Sequence, residues 1–398
     1  MAAAPAGGEG THAAPSRQAL SALVATMISI HACMASTRVA ASLWVLDQGL
    51  GEWTVGVLLS LFAVAPMALA LWAGRQVDRF GFHRPMAYAV VMAFVGALAS
   101  LAQPSLPTIV FSCLLNGGAT AVAAVATQRE AGLMARDPSE LKRMFSYVAL
   151  SQALSNALSP VAAGLLIDHL GFRAAFALPV LLPLLAWAAA RRLPRQLPPP
   201  AKTPAEGART AWSLLRDPAL RHLLILNVVL SASWDAHSFV VPVLGHAKGL
   251  SASSIGLVLG SFAVAATLVR LAIVRWAQHL DEIRALRAAM ALATVLLLVY
   301  AWLPGTLGLA LGSAILGMAL GSVQPMILAT LHQVTPPERH GQALGLRLLA
   351  SNGATVAMPL GFGLLASATL AAAPLWLMAG LLLAAQASAA KVARGRGA

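Results

Sequence analysis

Two ionic side chains fall well inside long apolar runs: Arg38 and Asp235. A charge at bilayer depth costs about 2.5–3.5 kcal/mol on insertion scales, so each calls for a partner or a water-filled cavity. An arginine there presents a planar fork that binds a carboxylate or phosphate through paired hydrogen bonds. An aspartate there can load and release a proton. His31, Asn116, Trp234 and Gln324 are further polar or amphipathic groups in apolar surroundings. His31 is a candidate for titration near neutral pH, and Trp234, beside Asp235, offers a flat face to a solute. Interhelical hydrogen bonding or core packing is the alternative role for each of the four.

No set of residues points to catalysis or to a bound cofactor. A Gly-x-x-x-x-Gly-Lys-Ser/Thr loop is missing from the sequence, which argues against ATP as the energy source. There is no His-Glu-x-x-His run, and Cys33 and Cys113 match no metal spacing. Both cysteines lie in apolar runs, so a disulfide is not expected. The expectation is a protein that is not an enzyme and holds neither metal nor cofactor.

The elements that must position these groups follow from composition. The 398 residues are 59% hydrophobic and only 10% charged, and mean hydropathy is +0.76. Soluble domains carry about 25% charged residues. A soluble enzyme, a disordered chain and a disulfide-rich secreted module are all excluded. An apolar helix of about 20 residues crosses a bilayer, and twelve such segments can be drawn: 20–46, 53–74, 83–102, 106–128, 145–167, 172–191, 221–244, 254–276, 285–303, 305–331, 341–367 and 371–390.

A basic, proline-bearing stretch, 192–220, separates two sets of six. The expected organisation is an N-terminal tail (1–19), a six-helix bundle (20–191), this linker, a second bundle (221–390) and a C-terminal tail (391–398). Most of the 27 lysines and arginines fall in the tails and the even-numbered loops, whereas the opposite loops hold Arg173 and Lys248. By the positive-inside rule both termini are cytoplasmic. The net charge of +13 is thereby accounted for without nucleic acid, and lipid is the expected neighbour of these positives.

Gly56–Ala65 resembles Gly256–Ala265 without a gap, at an offset of 200 residues. Duplicated halves are a common feature of transporters. The Gly308/Gly312 and Gly317/Gly321 pairs read as tight packing within the second bundle rather than as a dimer face, and a monomer is expected.

The loop after the second span reads Gly74-Arg75-Gln76-Val77-Asp78-Arg79-Phe80-Gly81-Phe82-His83-Arg84. It resembles the loop 2–3 signature of the major facilitator superfamily. The resemblance extends over nearly the whole chain through twelve spans, a six-plus-six split and a basic central linker. It implies an all-α fold of two pseudo-symmetric six-helix bundles, and a gate role for Gly74, Asp78, Arg79, Gly81 and Arg84 on the cytoplasmic side. In helix 5, Ser155, Ser159, Pro160 and Gly164 are similar to the motif of the family's antiporters, with small-residue packing as the alternative. Helix 4 departs from the drug-exporter pattern, since Cys113 stands where those proteins have arginine, four residues before Gly117.

The resemblance implies a secondary transporter of the bacterial inner membrane that moves a small organic solute by alternating access, with proton-coupled export favoured. Uptake of a metabolite by a symporter, or a sensing or scaffolding role, are the other readings. Helices 1, 4, 7 and 10 line the cavity in this family. Arg38 and Asp235 are therefore expected to face it, with His31, Asn116, Trp234 and Gln324 as further lining residues.

Overall fold

A computed structural model describes residues 17–134, 138–195, 211–276, 282–335 and 340–395. Most of the linker, 196–210, and the outer parts of both tails lie outside the described residues. Twelve α-helices are present and, among the described residues, no strand. The first six are α1 (Arg17–Asp47), α2 (Gly51–Phe80), α3 (His83–Ala102), α4 (Leu106–Met134), α5 (Pro138–Leu170) and α6 (Phe172–Ala190). The second six are α7 (Pro218–Ala247), α8 (Ala252–Trp276), α9 (Glu282–Val299), α10 (Gly305–Val334), α11 (His340–Ala368) and α12 (Ala373–Gly395). Eleven are long and apolar enough to cross a membrane, and the apolar part of α12, Ala373–Ala389, is shorter. Large side chains such as Leu98, Leu184 and Leu307 face outward, as lipid-facing surfaces require.

Each half packs as its own bundle. In the first, α1 lies against α4, α5 and α6, and α4 against α2 and α3. In the second, α10 lies against α8 and α9, and α12 against α7 and α9. Small residues set these distances. A Cβ on Gly117 (α4) would strike the Phe62 backbone of α2, and one on Gly317 (α10) would strike the Phe262 backbone of α8. These two contacts are 200 residues apart, so the sequence repeat is matched by a repeat in packing. Gly312 and Gly321 also face neighbours of their own bundle: Leu303 and Tyr300 for the first, Ala266 for the second.

The halves meet mainly along α2 with α11 and α5 with α8. Two backbone contacts make these seams. A Cβ on Gly56 would collide with the Pro359 carbonyl of α11, and one on Gly256 would collide with the Pro160 carbonyl of α5. Gly363 and Gly164, four residues beyond those prolines, lie as close to the starts of α2 and α8.

Each seam also supplies a helix cap from the opposite half. Asp168 accepts the backbone N–H groups of Ala252 (2.9 Å) and Ser253 (2.7 Å). Ser367 accepts the N–H of Trp53 at 3.0 Å. These donors belong to the otherwise unpaired first turns of α8 and α2. All of these contacts lie on one side of the molecule, at the α1–α2, α5–α6, α7–α8 and α11–α12 turns. We call it the far side; α1 begins and α12 finishes on the terminal side.

Replacing Gly256 by leucine overpacks the α5–α8 seam, at a cost of about 1–3 kcal/mol. Labelling of a cysteine placed at Ser253 by a membrane-impermeant maleimide should then rise severalfold. Cys33 and Cys113 are free and fully buried, so the parent protein should take up no maleimide until it unfolds.

Candidate functional site

Two cavities lie between the helices below the far-side seams. The central one, about 250 Å³, is lined by residues of α1, α5, α7 and α8, among them His31, Arg38, Asn156, Pro160, Trp234 and His237. The second, about 340 Å³, lies toward the terminal side between α7, α8, α10 and α11. Asp235, Arg270, Gln324, Arg347 and Thr355 line it. Trp234 borders both cavities.

Arg38 and Asp235 come from opposite halves and face different cavities. Their charges are coupled through space, with no direct ion pair between them among the described residues. Asp235 is 7% exposed and borders the terminal-side cavity together with Thr355, whose hydroxyl donates to the Ser351 carbonyl at 3.1 Å. The carboxylate is thus reachable from that cavity.

An aromatic stack joins the cavities. The Trp234 ring meets Phe262 edge-on at 4.5 Å, and Phe262 stacks on His237 at 4.2 Å. The Arg270 guanidinium sits 5.7 Å from the centre of the Trp234 ring. His237 Nε2 pairs with Ser313 Oγ at 2.8 Å, and Ser313 also meets the Tyr300 hydroxyl. The Nδ1 atoms of His31 and His237 are buried and have no partner among the described residues.

Of the expected lining residues, His31, Arg38, Trp234, Asp235 and Gln324 border a cavity. Asn116 borders neither of these two cavities. Its side chain is 1% exposed, accepts from Cys33 Sγ at 3.0 Å and donates to the Ser112 carbonyl at 3.0 Å. Both bonds lie within the first bundle, so no polar edge of Asn116 is left for a solute.

The helix 5 residues serve the seam and its support. Pro160 and Gly164 receive the start of α8, while the Ser155 hydroxyl donates to the Ile28 carbonyl of α1 at 2.9 Å. Ser159 is buried beside them.

The α2–α3 turn is built on Gly81, whose φ of +70° suits glycine. Arg79 and Arg84 lie 5.0 and 4.2 Å from the Phe80 ring centre, and Arg84 also donates to the Tyr88 hydroxyl at 3.1 Å. Their described contacts stay within this turn and the start of α3. Gly74 is open to its surroundings, and the side chain of Asp78 lies outside the described residues.

Sequence reasoning missed three charges. Arg270 and Arg347 fall among the basic residues assigned to even-numbered loops, yet both lie inside helices and border a cavity. Glu130, near the end of α4, is 1% exposed, so Asp235 is not alone as a buried acid. His237 was also passed over. The polar cluster Trp234-Asp235-Ala236-His237 within an apolar span was the available signal.

A profile described as "Major Facilitator Superfamily" matches residues 22–356 and, again, 223–393. Two solved structures share the fold. One is a nucleoside transporter, NupG, solved as a point mutant, with 12% identity, TM-score 0.76, and coverage of 94% of this chain and 99% of that one. The other is a peptide transporter, POT, in complex with sulfate, with 17% identity, TM-score 0.77, and coverage of 96% and 95%. None of the curated protein sequences matches the chain. With twelve helices in two similar bundles and the profile running through both, the chain belongs to the Major Facilitator Superfamily of multi-pass membrane transporters.

Proposed function

We propose that this protein is a secondary transporter of the bacterial inner membrane that moves a small organic solute by alternating access, coupled to protons and working as an exporter. Both termini are cytoplasmic, the far side faces outward, and the structure is the inward-facing state. The observation that carries this reading is the far-side closure above cavities that hold Arg38 from one half and Asp235 from the other. In that state the gate motif of the α2–α3 turn is disengaged, which accords with Arg79 and Arg84 resting on Phe80.

The mechanism follows from the cost of an unpaired charge in a low-dielectric site. When the halves rock, the distance between Arg38 and Asp235 changes. A proton on Asp235 removes its attraction to Arg38 and shifts the balance between the two states, so proton occupancy and gate position become linked. Solute entering the central cavity meets Arg38 and Trp234, with His31 and His237 in the wall.

Flux in proteoliposomes, screened over candidate solutes with and without a pH gradient, tests the reading. Arg38→Gln should lower transport at least tenfold. Asp235→Asn should abolish gradient-driven accumulation while sparing solute exchange. If both variants transport normally, the site lies elsewhere, and silence towards all solutes would favour a sensor. A C-terminal green fluorescent protein fusion should fluoresce and an alkaline phosphatase fusion should be inactive; the reverse pattern would invert the topology.

A further inference from the structure

The terminal-side cavity carries more positive charge than its one acid can balance. Asp235 is the one carboxylate among the residues that border it, and it forms no ion pair there among the described residues. That leaves Arg270 and Arg347 bordering the same cavity with no carboxylate of their own among the described residues.

Both guanidinium groups are held in place by neutral groups. Arg347 is 7% exposed; its Nη1 donates to Asn227 Oδ1 at 3.2 Å, and its Nε has no partner among the described residues. Asn227 is itself fixed by donating to Ser351 Oγ at 2.7 Å. Arg270 donates through Nε to the Gly321 carbonyl at 3.2 Å and lies over Trp234. A guanidinium has five N–H donors, so each arginine keeps donors unused.

Two cations, oriented and partly desolvated but without counter-charge, are costly to maintain. A bound anion recovers that cost, and the paired donors of arginine match an oxyanion in shape as well as charge. The Ser351 hydroxyl on the cavity wall, which accepts from Asn227, adds a neutral donor at its edge.

We infer that the terminal-side cavity is an oxyanion subsite: Arg270 and Arg347 bind a carboxylate or phosphoryl group of the solute, whose adjoining body lies on Trp234 toward the central cavity. That the bound solute is also the transported one rests on the carrier reading above; the binding itself does not. The consequence for specificity is that neutral solutes of the same shape are rejected, because they leave both guanidinium groups unpaired.

Thermal unfolding of the purified full-length protein in detergent tests this with benzoate, phenyl phosphate and neutral benzyl alcohol, at equal ionic strength set with chloride. At least one of the two anions should raise the melting temperature with saturable concentration dependence, and benzyl alcohol should not. The better of the two identifies the acidic group. Arg270→Gln and Arg347→Gln should each weaken that binding tenfold or more. Arg347→Lys should restore part of it, and Arg173→Gln on a far-side turn should leave it unchanged. If Arg347→Gln does not fold, Arg270→Gln, at a half-exposed position, decides alone. The inference is overturned if neither anion binds, if benzyl alcohol binds as well as the anions, or if Arg270→Gln binds like the parent. Anion binding without flux of any solute would sink the carrier reading and leave the subsite standing. Flux with no anion preference would do the opposite.

Discussion

At the far side the two halves touch largely backbone to backbone, with two side-chain caps across the seams. Pro160 and Pro359 present carbonyls to Gly256 and Gly56, and Gly164 and Gly363 lie against the opposite helix starts. Such an approach is open only to residues without a Cβ, and it lets the backbones of four long helices come close. Because Asp168 and Ser367 cap the other half's helices, each seam also satisfies donors that would otherwise be left bare. The cavities, the separation of Arg38 from Asp235 and the side on which solvent could enter all depend on where this closure lies.

Below the closure, charge takes over from packing. Arg38, Asp235, Arg270, Arg347 and Glu130 all lie in helices at positions wholly or partly buried, where an unpaired ion is expensive. None of the four that border a cavity has a close ionic partner among the described residues, and the neighbours of Arg270 and Arg347 are a side-chain amide, a backbone carbonyl and an aromatic ring. This is a poor arrangement for stability alone, since an apolar interior of similar volume is often as stable or more so. It suits a site whose charge balance is completed by something that comes and goes.

Much of the fold was legible because lipid imposes a simple rule: apolar runs of fixed length, separated by short turns. The α2–α3 turn was legible for a similar reason, since Gly81 occupies a backbone conformation that few other residues accept. The charged lining was harder. Arg270 and Arg347 sit within two turns of a helix end, and at that position a cavity arginine looks the same in sequence as one that sets topology. For Asn116 sequence gives the helix but not the direction of the amide, which is bonded within the first bundle. The second seam was hidden by register. Pro160 and Gly164 recur as Pro359 and Gly363, 199 residues later, one short of the 200-residue offset that aligns α2 with α8, so a gapless comparison passes over it.

The seams have a consequence for how such a gate can arise. α2 on α11 and α8 on α5 are the same surface used twice, with donor and acceptor roles exchanged. Two separate copies of a half-length chain, related by an ordinary twofold axis, would make both contacts at once, since an isologous interface is self-complementary. Joining the copies end to end adds no new contact to that closure. It only frees the two surfaces to diverge, as the aspartate cap on one and the serine cap on the other now illustrate.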